Sequence, residues 1–443
     1  MPLRLSRENL ARWPAACHCA TTLRTMPTPA WFNSARFGLF IHWGLFSQHD
    51  WEPSWPLVGG LSAFPHCQDL SVADYYRDAL HFAPEPGAAR EWMRLARRCG
   101  MTYAVLTTKH HDGFALFASP HADFGVAHGV CRRDLVGEFV DAARAEGLRV
   151  GLYFSLPDWH HADYPAFTDA MRPYPMLAYP RPDPARWTRF RRDLEGQLTH
   201  LLTAYGAIDL LWFDGGWERT PDEWRAADLE TLIRRLQPEI VINDRLPNVG
   251  DYDTPEQAIP TTPPARAWET CMTMSHSWGN ADAGRDRKST RYLLTVLAEV
   301  VGAGGNLLLN VSPDGRGALP DWQRDRLLAI AAWMERHGEA ITGCVRGLEP
   351  GQFYGPSSRN GNRLFLFCPQ RPQEFVVVRG IQGRRVESVR AIGTNRPLSF
   401  ELRLSALDRM LGTDGPCDVI IATPDDVLDP MLTVLEVSLR TDP

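Results

Sequence analysis

The stretch YAVLTTKHHDG (residues 103–113) shows how this chain is built, because a strand-like run leads directly into a polar loop. Residues 103–107 form a nearly continuous apolar run, which is typical of a parallel strand covered on both faces. Residues 88–99 before it have the spacing of an amphipathic helix, and Gly100 follows where a left-handed cap is favoured. The stretch therefore predicts a helix–strand unit whose polar residues lie at the carboxyl end of the strand.

The same alternation recurs along most of the chain. We predict further strands at 37–42, 150–155, 208–213, 240–243 and 307–311, with helices at 134–146, 187–205, 221–236, 289–301 and 320–337. This repeated order predicts an α/β fold, a (β/α)8-like barrel. A doubly wound sheet is the alternative, but no Gly-rich phosphate loop follows the first strand.

After Ile341 the pattern changes to short β-type runs separated by Gly, Pro and Asn, at 364–367, 374–378, 386–392, 398–402, 418–422 and 432–439. A helical pattern returns only at 405–411. These features predict a small C-terminal antiparallel β-sandwich. The predicted organisation is a loose leader (1–27), a catalytic barrel (28–345) and the sandwich (346–443).

Composition excludes several protein classes. With 47 basic and 53 acidic side chains the net charge is −6, which lacks the basic excess of a nucleic-acid binder. No apolar run reaches the length of a membrane span. The 9 cysteines include no C-x-x-C pair, so neither a disulfide framework nor a zinc ribbon is indicated. Because the first 27 residues contain no secretory apolar region, we expect a cytoplasmic protein.

Polar residues gather at the carboxyl ends of the predicted strands, the edge that carries the active site of a parallel barrel. Taken singly, each has a structural explanation: Asp214 before two glycines is typical of a turn, and His42 of a buried core histidine. Their coincidence at one edge instead predicts a functional site. The candidates are His42, His110, His111, Tyr153, Asp214, Arg245, Glu256 and Trp278.

This combination suits a sugar, because hydroxyl groups need many directional partners and a sugar ring stacks on indole; the chain has 15 tryptophans. Glycoside hydrolysis needs two carboxyl groups, which Asp214 and Glu256 would supply, about 5–5.5 Å apart for retention or about 6.5–9.5 Å for inversion. A metal hydrolase using His42, His110, His111 and Asp214 is the alternative. Adjacent His110 and His111 should point in opposite directions on an extended segment, which disfavours the metal site.

Five ordered segments have a distinctive content: FGLFIHWG (37–44), LTTKHHDGF (106–114), RDLVG (133–137), LWFDGG (211–216) and GGNLLLN (304–310). Together they resemble the α-L-fucosidases of glycoside hydrolase family 29, over the chain from about Trp31 to Ile341. The resemblance implies a barrel followed by a β-sandwich. It also implies an exo-acting, retaining hydrolase that releases terminal α-L-fucosyl residues through a covalent glycosyl-enzyme.

The resemblance implies a role for each candidate residue. Asp214 matches the nucleophile and Glu256 the acid/base, with Glu269 in reserve. The residues that match positions holding the fucose hydroxyls and ordering the nucleophile are His42, His110, His111, Tyr153 and Arg245, and Trp278 matches the aromatic residue against the fucose methyl group. The expected partner is a fucosylated oligosaccharide or glycoconjugate, with no metal, organic cofactor, nucleic acid or membrane; a homo-oligomer is left open.

One segment departs from the family pattern. The family commonly places Glu-Trp after the first strand, and the nearest match is Asp50-Trp51, which we predict to bind substrate; a shift of register onto Glu52 is the alternative. This departure leaves open a related sugar, such as an α-L-galactoside, as the substrate. A metal-dependent barrel hydrolase is the less favoured alternative function.

Overall fold

A computed structural model describes residues 28–58, 68, 70–171, 179–281, 286–412 and 415–440. The leader predicted for residues 1–27 lies outside these residues. The described chain forms a parallel sheet with flanking helices, followed by two antiparallel sheets.

The parallel strands are β1 (Phe37–Ile41), β2 (Tyr103–Lys109), β3 (Arg149–Ser155), β4 (Leu210–Asp214), β5 (Val241–Ile242), β6 (Glu269–Thr273) and β7 (Asn306–Val311). Among the described residues they form one seven-stranded sheet in the order β5-β4-β3-β2-β1-β7-β6. The predicted barrel fold is confirmed. Strand β6 was not predicted, because the polar residues Glu269, Thr270 and Thr273 interrupt its apolar pattern although all are buried.

An irregular segment, residues 251–257, fills the gap between β5 and β6. The Asp251 N–H donates to the carbonyl of the last residue of β5 (2.7 Å), and the Pro255 carbonyl accepts from Cys271 N–H on β6 (3.2 Å). Pro255 has no N–H to donate, and Gln257 has a φ of 53°, so a regular strand cannot form here. Glu256 lies on this irregular segment.

The helices are α1 (Ala30–Ala35), α2 (Val72–Tyr76), α3 (Ala88–Arg98), α4 (Leu135–Ala145), α5 (Pro184–Ala204), α6 (Pro221–Trp224), α7 (Ala226–Leu236), α8 (Thr290–Gly302), α9 (Asp321–His337) and α10 (Ala406–Leu411). The helix predicted at 221–236 is divided into α6 and α7, because Arg225 adopts a left-handed conformation with φ 52°. Over the part of the chain that is described, no helix has the length and apolarity needed to cross a bilayer.

The barrel interior is filled by aromatic and aliphatic side chains. The Phe40 ring lies 5.1 Å from the Trp212 ring and 5.9 Å from the Trp278 ring, and Tyr153 stacks on Trp212 at 5.6 Å between ring centroids. Full burial of such side chains stabilises a fold by about 1.5–3 kcal/mol each. The carboxyl end of the barrel therefore rests on a packed floor rather than over a pore.

The C-terminal strands are β8 (Val345–Arg346), β9 (Ser357–Asn360), β10 (Arg363–Cys368), β11 (Phe375–Gln382), β12 (Val386–Ala391), β13 (Arg396–Pro397), β14 (Phe400–Arg403), β15 (Pro416–Ala422) and β16 (Thr433–Leu439). In the described ranges they form a six-stranded sheet (β13-β12-β16-β10-β9-β8) and a three-stranded sheet (β11-β15-β14) around a separate apolar core. The predicted sandwich is confirmed. Strands β8, β9 and β13 were not predicted, because they are short and largely polar.

The sandwich is joined to the barrel through α9. The Trp333 indole N–H donates to the Leu432 carbonyl (2.9 Å), and Phe365, Phe367 and Val434 belong to the apolar cluster of the barrel. A shared apolar interface of this kind supports the barrel from its helical side.

Candidate active site

The carboxyl ends of β1 to β4 bring the predicted residues to one edge, because these strands are parallel neighbours. His42 follows β1, His110 and His111 follow β2, and Tyr153 and Asp214 belong to β3 and β4. All five are buried. The sequence-predicted clustering is therefore present in the structure.

Asp214 is held by two donors. Its Oδ1 accepts from Arg245 Nη1 (2.9 Å), its Oδ2 accepts from the Tyr153 hydroxyl (2.9 Å), and His111 Nε2 lies 3.6 Å from Oδ2. Burial by itself raises the pKa of Asp214, but the charge of Arg245 and the two hydrogen bonds outweigh it, so the pKa lies below its ordinary value. Asp214 is therefore an ionised carboxylate at neutral pH.

Arg245 joins Asp214 to Glu256. Its Nη1 donates to Asp214 and its Nη2 donates to Glu256 Oε2 (2.6 Å), while its guanidinium carbon lies 4.5 Å from the centroid of the Trp212 ring. Burial would lower the pKa of Arg245, but Glu256 and Asp214 raise it well above its ordinary value. Since both carboxylates bind the rigid, planar guanidinium group of Arg245, the two oxygens that it bonds lie no more than about 8 Å apart.

The two carboxylates differ in their exposure to solvent. The side chain of Glu256 is 38% exposed, whereas that of Asp214 is 11% exposed. Glu256 Oε1 also accepts from the indole Nε1 of Trp278 (3.2 Å). The site thus combines a shielded carboxylate with one that is open to solvent.

The three histidines are held in neutral form. Burial lowers the pKa of His42 and of His111 to about 4, and that of His110 well below its ordinary value. His42 Nδ1 lies 2.7 Å from Asn310 Oδ1, and Asn310 Nδ2 donates to the Trp278 carbonyl, which fixes the amide orientation. His42 therefore carries its proton on Nδ1 and offers Nε2 as an acceptor.

Serine hydroxyls orient the other two histidines. Ser54 Oγ lies 2.6 Å from His110 Nδ1, and Ser155 Oγ lies 2.6 Å from His111 Nδ1. Ser54 has a φ of 57°, an unfavourable conformation for a residue with a side chain, and it is fully buried. The surrounding structure therefore holds Ser54 in a strained conformation beside His110.

The expectation that His110 and His111 point in opposite directions is wrong. Their ring centroids are 4.3 Å apart, and both rings join the cluster around Asp214. The register shifts between Thr107 and Lys109, and the chain then turns, with Gly113 N–H donating to the His110 carbonyl. Both histidines consequently lie beyond the end of β2, where successive side chains no longer alternate between the two faces of the sheet.

Three side chains of the cluster are potential metal ligands: His110, His111 and Asp214 have ligand atoms within 4.8 Å of one another. A divalent cation there would share Asp214 with the Arg245 guanidinium, whose Nη1 is 2.9 Å from the carboxylate. Repulsion between two cations at such range disfavours the metal. The electrostatics of the cluster fit a neutral ligand rich in hydroxyl groups.

The segment after β1 carries Asp50 and Trp51, whose binding of substrate stays a prediction. Asp50 is exposed and accepts from Asn280 Nδ2 (2.6 Å), and Trp51 stacks on His49 and on Tyr75. Further along the segment, Ser54 contacts His110 and the Trp55 ring lies 5.7 Å from the His111 ring. Glu52 is buried behind them and accepts from the backbone N–H of Trp278 (3.0 Å).

Sequence reasoning also missed Glu218 and its effect on the site. This buried carboxylate accepts from Trp159 Nε1 (3.0 Å) and from the Tyr164 hydroxyl, and the Trp159 ring lies 5.2 Å from His111. Burial raises the pKa of Glu218 to about 7. Its position four residues after Asp214 is visible in the sequence, but its contact with Trp159 depends on tertiary packing.

Glu269, the reserve acid/base, lies at the beginning of β6, away from the carboxyl edge. It is fully buried and accepts hydrogen bonds from Tyr103, from Trp212 Nε1 (3.1 Å) and from Tyr252 (3.4 Å). The polar residues expected at strand ends thus included one that belongs to the barrel floor. Its geometry is that of a structural group and provides no route for water or a leaving group.

Comparison with known proteins is consistent with this geometry. The family model described as Alpha-L-fucosidase matches residues 17–339. The chain belongs to the alpha-L-fucosidase family. As a member of glycoside hydrolase family 29 it is a glycoside hydrolase, and human tissue alpha-L-fucosidase is 31% identical over 361 residues, covering 76% of this chain and 72% of the human protein.

Solved structures of family members share the fold. Alpha-L-fucosidase isoenzyme 1 from Paenibacillus thiaminolyticus is 34% identical with a TM-score of 0.80, covering 93% of this chain and 98% of that chain. The Thermotoga maritima alpha-fucosidase in complex with a mechanism-based inhibitor is 28% identical with a TM-score of 0.75, covering 94% and 98%. The barrel and the sandwich are therefore the architecture of this family.

Replacing Arg245 by Lys tests the link between the two carboxylates. A lysine keeps the charge but lacks the fork, so kcat/KM for an aryl α-L-fucoside should fall by about 100-fold. Arg266→Lys is the matched control, because Arg266 bonds Asp253 (2.6 Å) on the same irregular segment. Equal losses in the two variants would contradict the assigned link.

Glu269→Gln tests the structural assignment of Glu269. Burial raises the pKa of Glu269 from 4.5 to about 7, so its stabilising contribution is complete below pH 4.5 and is lost as pH rises through 7. Over that range the wild type should lose roughly 3 kcal/mol of unfolding free energy relative to the variant, measured by urea denaturation at each pH. Parallel pH profiles for the two proteins would contradict this assignment.

Proposed function

We propose that this chain is an exo-acting, retaining α-L-fucosidase that releases terminal α-L-fucosyl residues from glycans. Asp214 is the nucleophile and Glu256 is the acid/base. The observation that carries the proposal is the bridge of Arg245, which joins a shielded, ionised carboxylate to a solvent-open one in a single site. Retaining glycosidases need two carboxyl groups with these separate roles.

Asp214 has the properties of a nucleophile. It is ionised, it lies at the rigid end of β4, and Arg245 and Tyr153 each bond one of its oxygens. In the first step an Asp214 oxygen forms a bond to C1 of the sugar while the bond from C1 to the leaving oxygen breaks. That oxygen takes a proton from Glu256, so the sugar becomes a covalent ester of Asp214.

Glu256 has the access to solvent that an acid/base requires. In the second step it accepts a proton from water, the water oxygen bonds to C1, and the ester bond to Asp214 breaks. The hydrogen bond from Trp278 Nε1 to Glu256 Oε1 orients the carboxyl group for both transfers. One water is consumed, and fucose leaves with its original anomeric configuration.

The remaining side chains fit recognition of a 6-deoxy sugar. The buried neutral histidines His42, His110 and His111 each offer a donor or an acceptor to hydroxyl groups. The Trp278 ring, 4.9 Å from the His42 ring, provides an apolar wall for the fucose methyl group. The mechanism-based inhibitor bound to the Thermotoga maritima relative supports the same class of chemistry.

Asp214→Gly should abolish turnover of an aryl α-L-fucoside, with a loss of about 1,000-fold or more in kcat, because the ester cannot form. Added azide should then attack the substrate directly and give β-L-fucosyl azide. The wild type should release α-L-fucose first, as followed by NMR. Near-normal turnover by the variant, or initial release of β-L-fucose by the wild type, would overturn the proposal.

Glu256→Ala should keep the nucleophile and lose the acid/base. Azide should restore part of the activity on an activated aryl fucoside and give α-L-fucosyl azide, because it replaces water on the covalent intermediate. Glu269→Ala is the control and should show no rescue. Rescue at Glu269 instead of Glu256 would reverse the assignment of the acid/base.

A panel of aryl glycosides tests the identity of the sugar. The apolar Trp278 wall should favour α-L-fucoside over α-L-galactoside, whose additional C6 hydroxyl it cannot bond. Preference for the galactoside would replace the fucosidase assignment while leaving the retaining mechanism in place.

A further inference from the structure

Glu52 is a buried carboxylate that the proposed mechanism does not use. Its Oε1 accepts from the Trp278 backbone N–H (3.0 Å), and its Oε2 accepts from the Ser277 hydroxyl. Among the ion pairs between described residues, none includes Glu52. Its carboxyl group is therefore held by the loop that carries Trp278.

That loop and the segment containing Glu52 are in close contact. A Cβ atom at Gly279 would lie 2.2 Å from the Trp51 carbonyl oxygen, so the two backbones approach as closely as a glycine allows. The Ser277 hydroxyl oxygen additionally accepts from Ala281 N–H (3.3 Å). The position of the loop therefore depends on the acceptors that Glu52 provides.

Trp278 connects this anchored loop to the reacting groups by two routes. Its indole Nε1 donates to Glu256 Oε1 (3.2 Å). Its carbonyl accepts from Asn310 Nδ2 (2.9 Å), and Asn310 Oδ1 lies 2.7 Å from His42 Nδ1. A displacement of the Trp278 backbone would change both contacts.

The pKa of Glu52 reflects its burial beside the loop that carries Trp278. Burial raises the pKa of Glu52 to about 7 against the opposing hydrogen bonds from Ser277 and Trp278, and the charge of Glu256 raises it further. A buried acceptor of this kind is stabilised by its donors, and removing it would leave the Trp278 N–H and the Ser277 hydroxyl without this partner.

We propose that Glu52 is a positioning residue for the acid/base: by holding the backbone of Trp278, it aims the indole N–H that orients Glu256. This inference rests on the proposed role of Glu256. It assigns Glu52 a function through Trp278 rather than a contact with the sugar.

The test compares two leaving groups, because acid catalysis matters only where the departing atom needs a proton. The fluoride ion departs from α-L-fucosyl fluoride with little need of an acid. Phenoxide departs from phenyl α-L-fucoside only slowly unless an acid protonates it. The readout is the ratio of kcat/KM for the fluoride to kcat/KM for the phenyl fucoside. General loosening of the fold would lower both values and leave this ratio unchanged.

The variants separate position from charge. Glu52→Ala should raise the ratio about 10-fold or more. Trp278→Phe, which keeps a ring but lacks the indole N–H, should raise the ratio similarly. Combining Glu52→Ala with Trp278→Phe should raise the ratio little beyond either single variant. Glu52→Gln retains an acceptor for the Trp278 N–H and should stay within about 3-fold of the wild type.

Asn280→Ala is the matched control. Asn280 joins the same two segments through Asp50 (2.6 Å), but at their exposed edge, so its loss should leave the ratio unchanged. Glu256→Ala should raise the ratio by about 100-fold. If Glu256→Ala leaves the ratio unchanged, the proposed acid/base is wrong. If Glu256→Ala raises the ratio but Glu52→Ala and Trp278→Phe lower kcat/KM equally for both substrates, the role of Glu52 is overturned and the proposed function stands.

Discussion

The guanidinium of Arg245 is the group on which the arrangement of the site depends. Two carboxylates that both face one small volume repel each other, by about 2 kcal/mol at 7 Å with an effective dielectric constant of about 20. Arg245 offsets this repulsion with one donor to Asp214 and one to Glu256, and it keeps Asp214 ionised despite burial. The Trp212 ring beneath fixes the plane of the fork. Asp214 is shielded from solvent whereas Glu256 is open to it, and the separate roles proposed for the two carboxyl groups follow from this difference.

The barrel positions Asp214 and Glu256 through different kinds of backbone structure. Asp214 ends a regular strand, so the sheet fixes its position rigidly. Glu256 instead lies on the irregular segment between β5 and β6, where Pro255 removes a donor and the chain cannot continue as a strand. The irregularity leaves the Glu256 side chain more open to solvent than that of Asp214. Trp278 and, behind it, Glu52 then supply the support that the sheet does not provide.

Regular periodicity made most of the fold predictable, and the convergence of parallel strand ends placed His42, Tyr153 and Asp214 together. Strand β6 was missed because its buried polar residues bond within the barrel, which a hydrophobicity pattern cannot register. The segment after β1 was beyond sequence reasoning for another reason. In a loop without periodicity, nothing in the sequence shows that Glu52 and Ser54 turn inward while Asp50 turns outward; the strained φ of Ser54 arises from tertiary contacts.

In the proposed mechanism Asp214 becomes covalently bonded to the sugar while Arg245 and Tyr153 hold it in place. The most direct measurement is to incubate the enzyme with 2-deoxy-2-fluoro-α-L-fucosyl fluoride, which forms the ester but slows its hydrolysis, and to locate the label by peptide mass spectrometry. We expect one added 2-fluorofucosyl group on the peptide containing Asp214, and on Asp214 itself after fragmentation. A label on any other residue would contradict it.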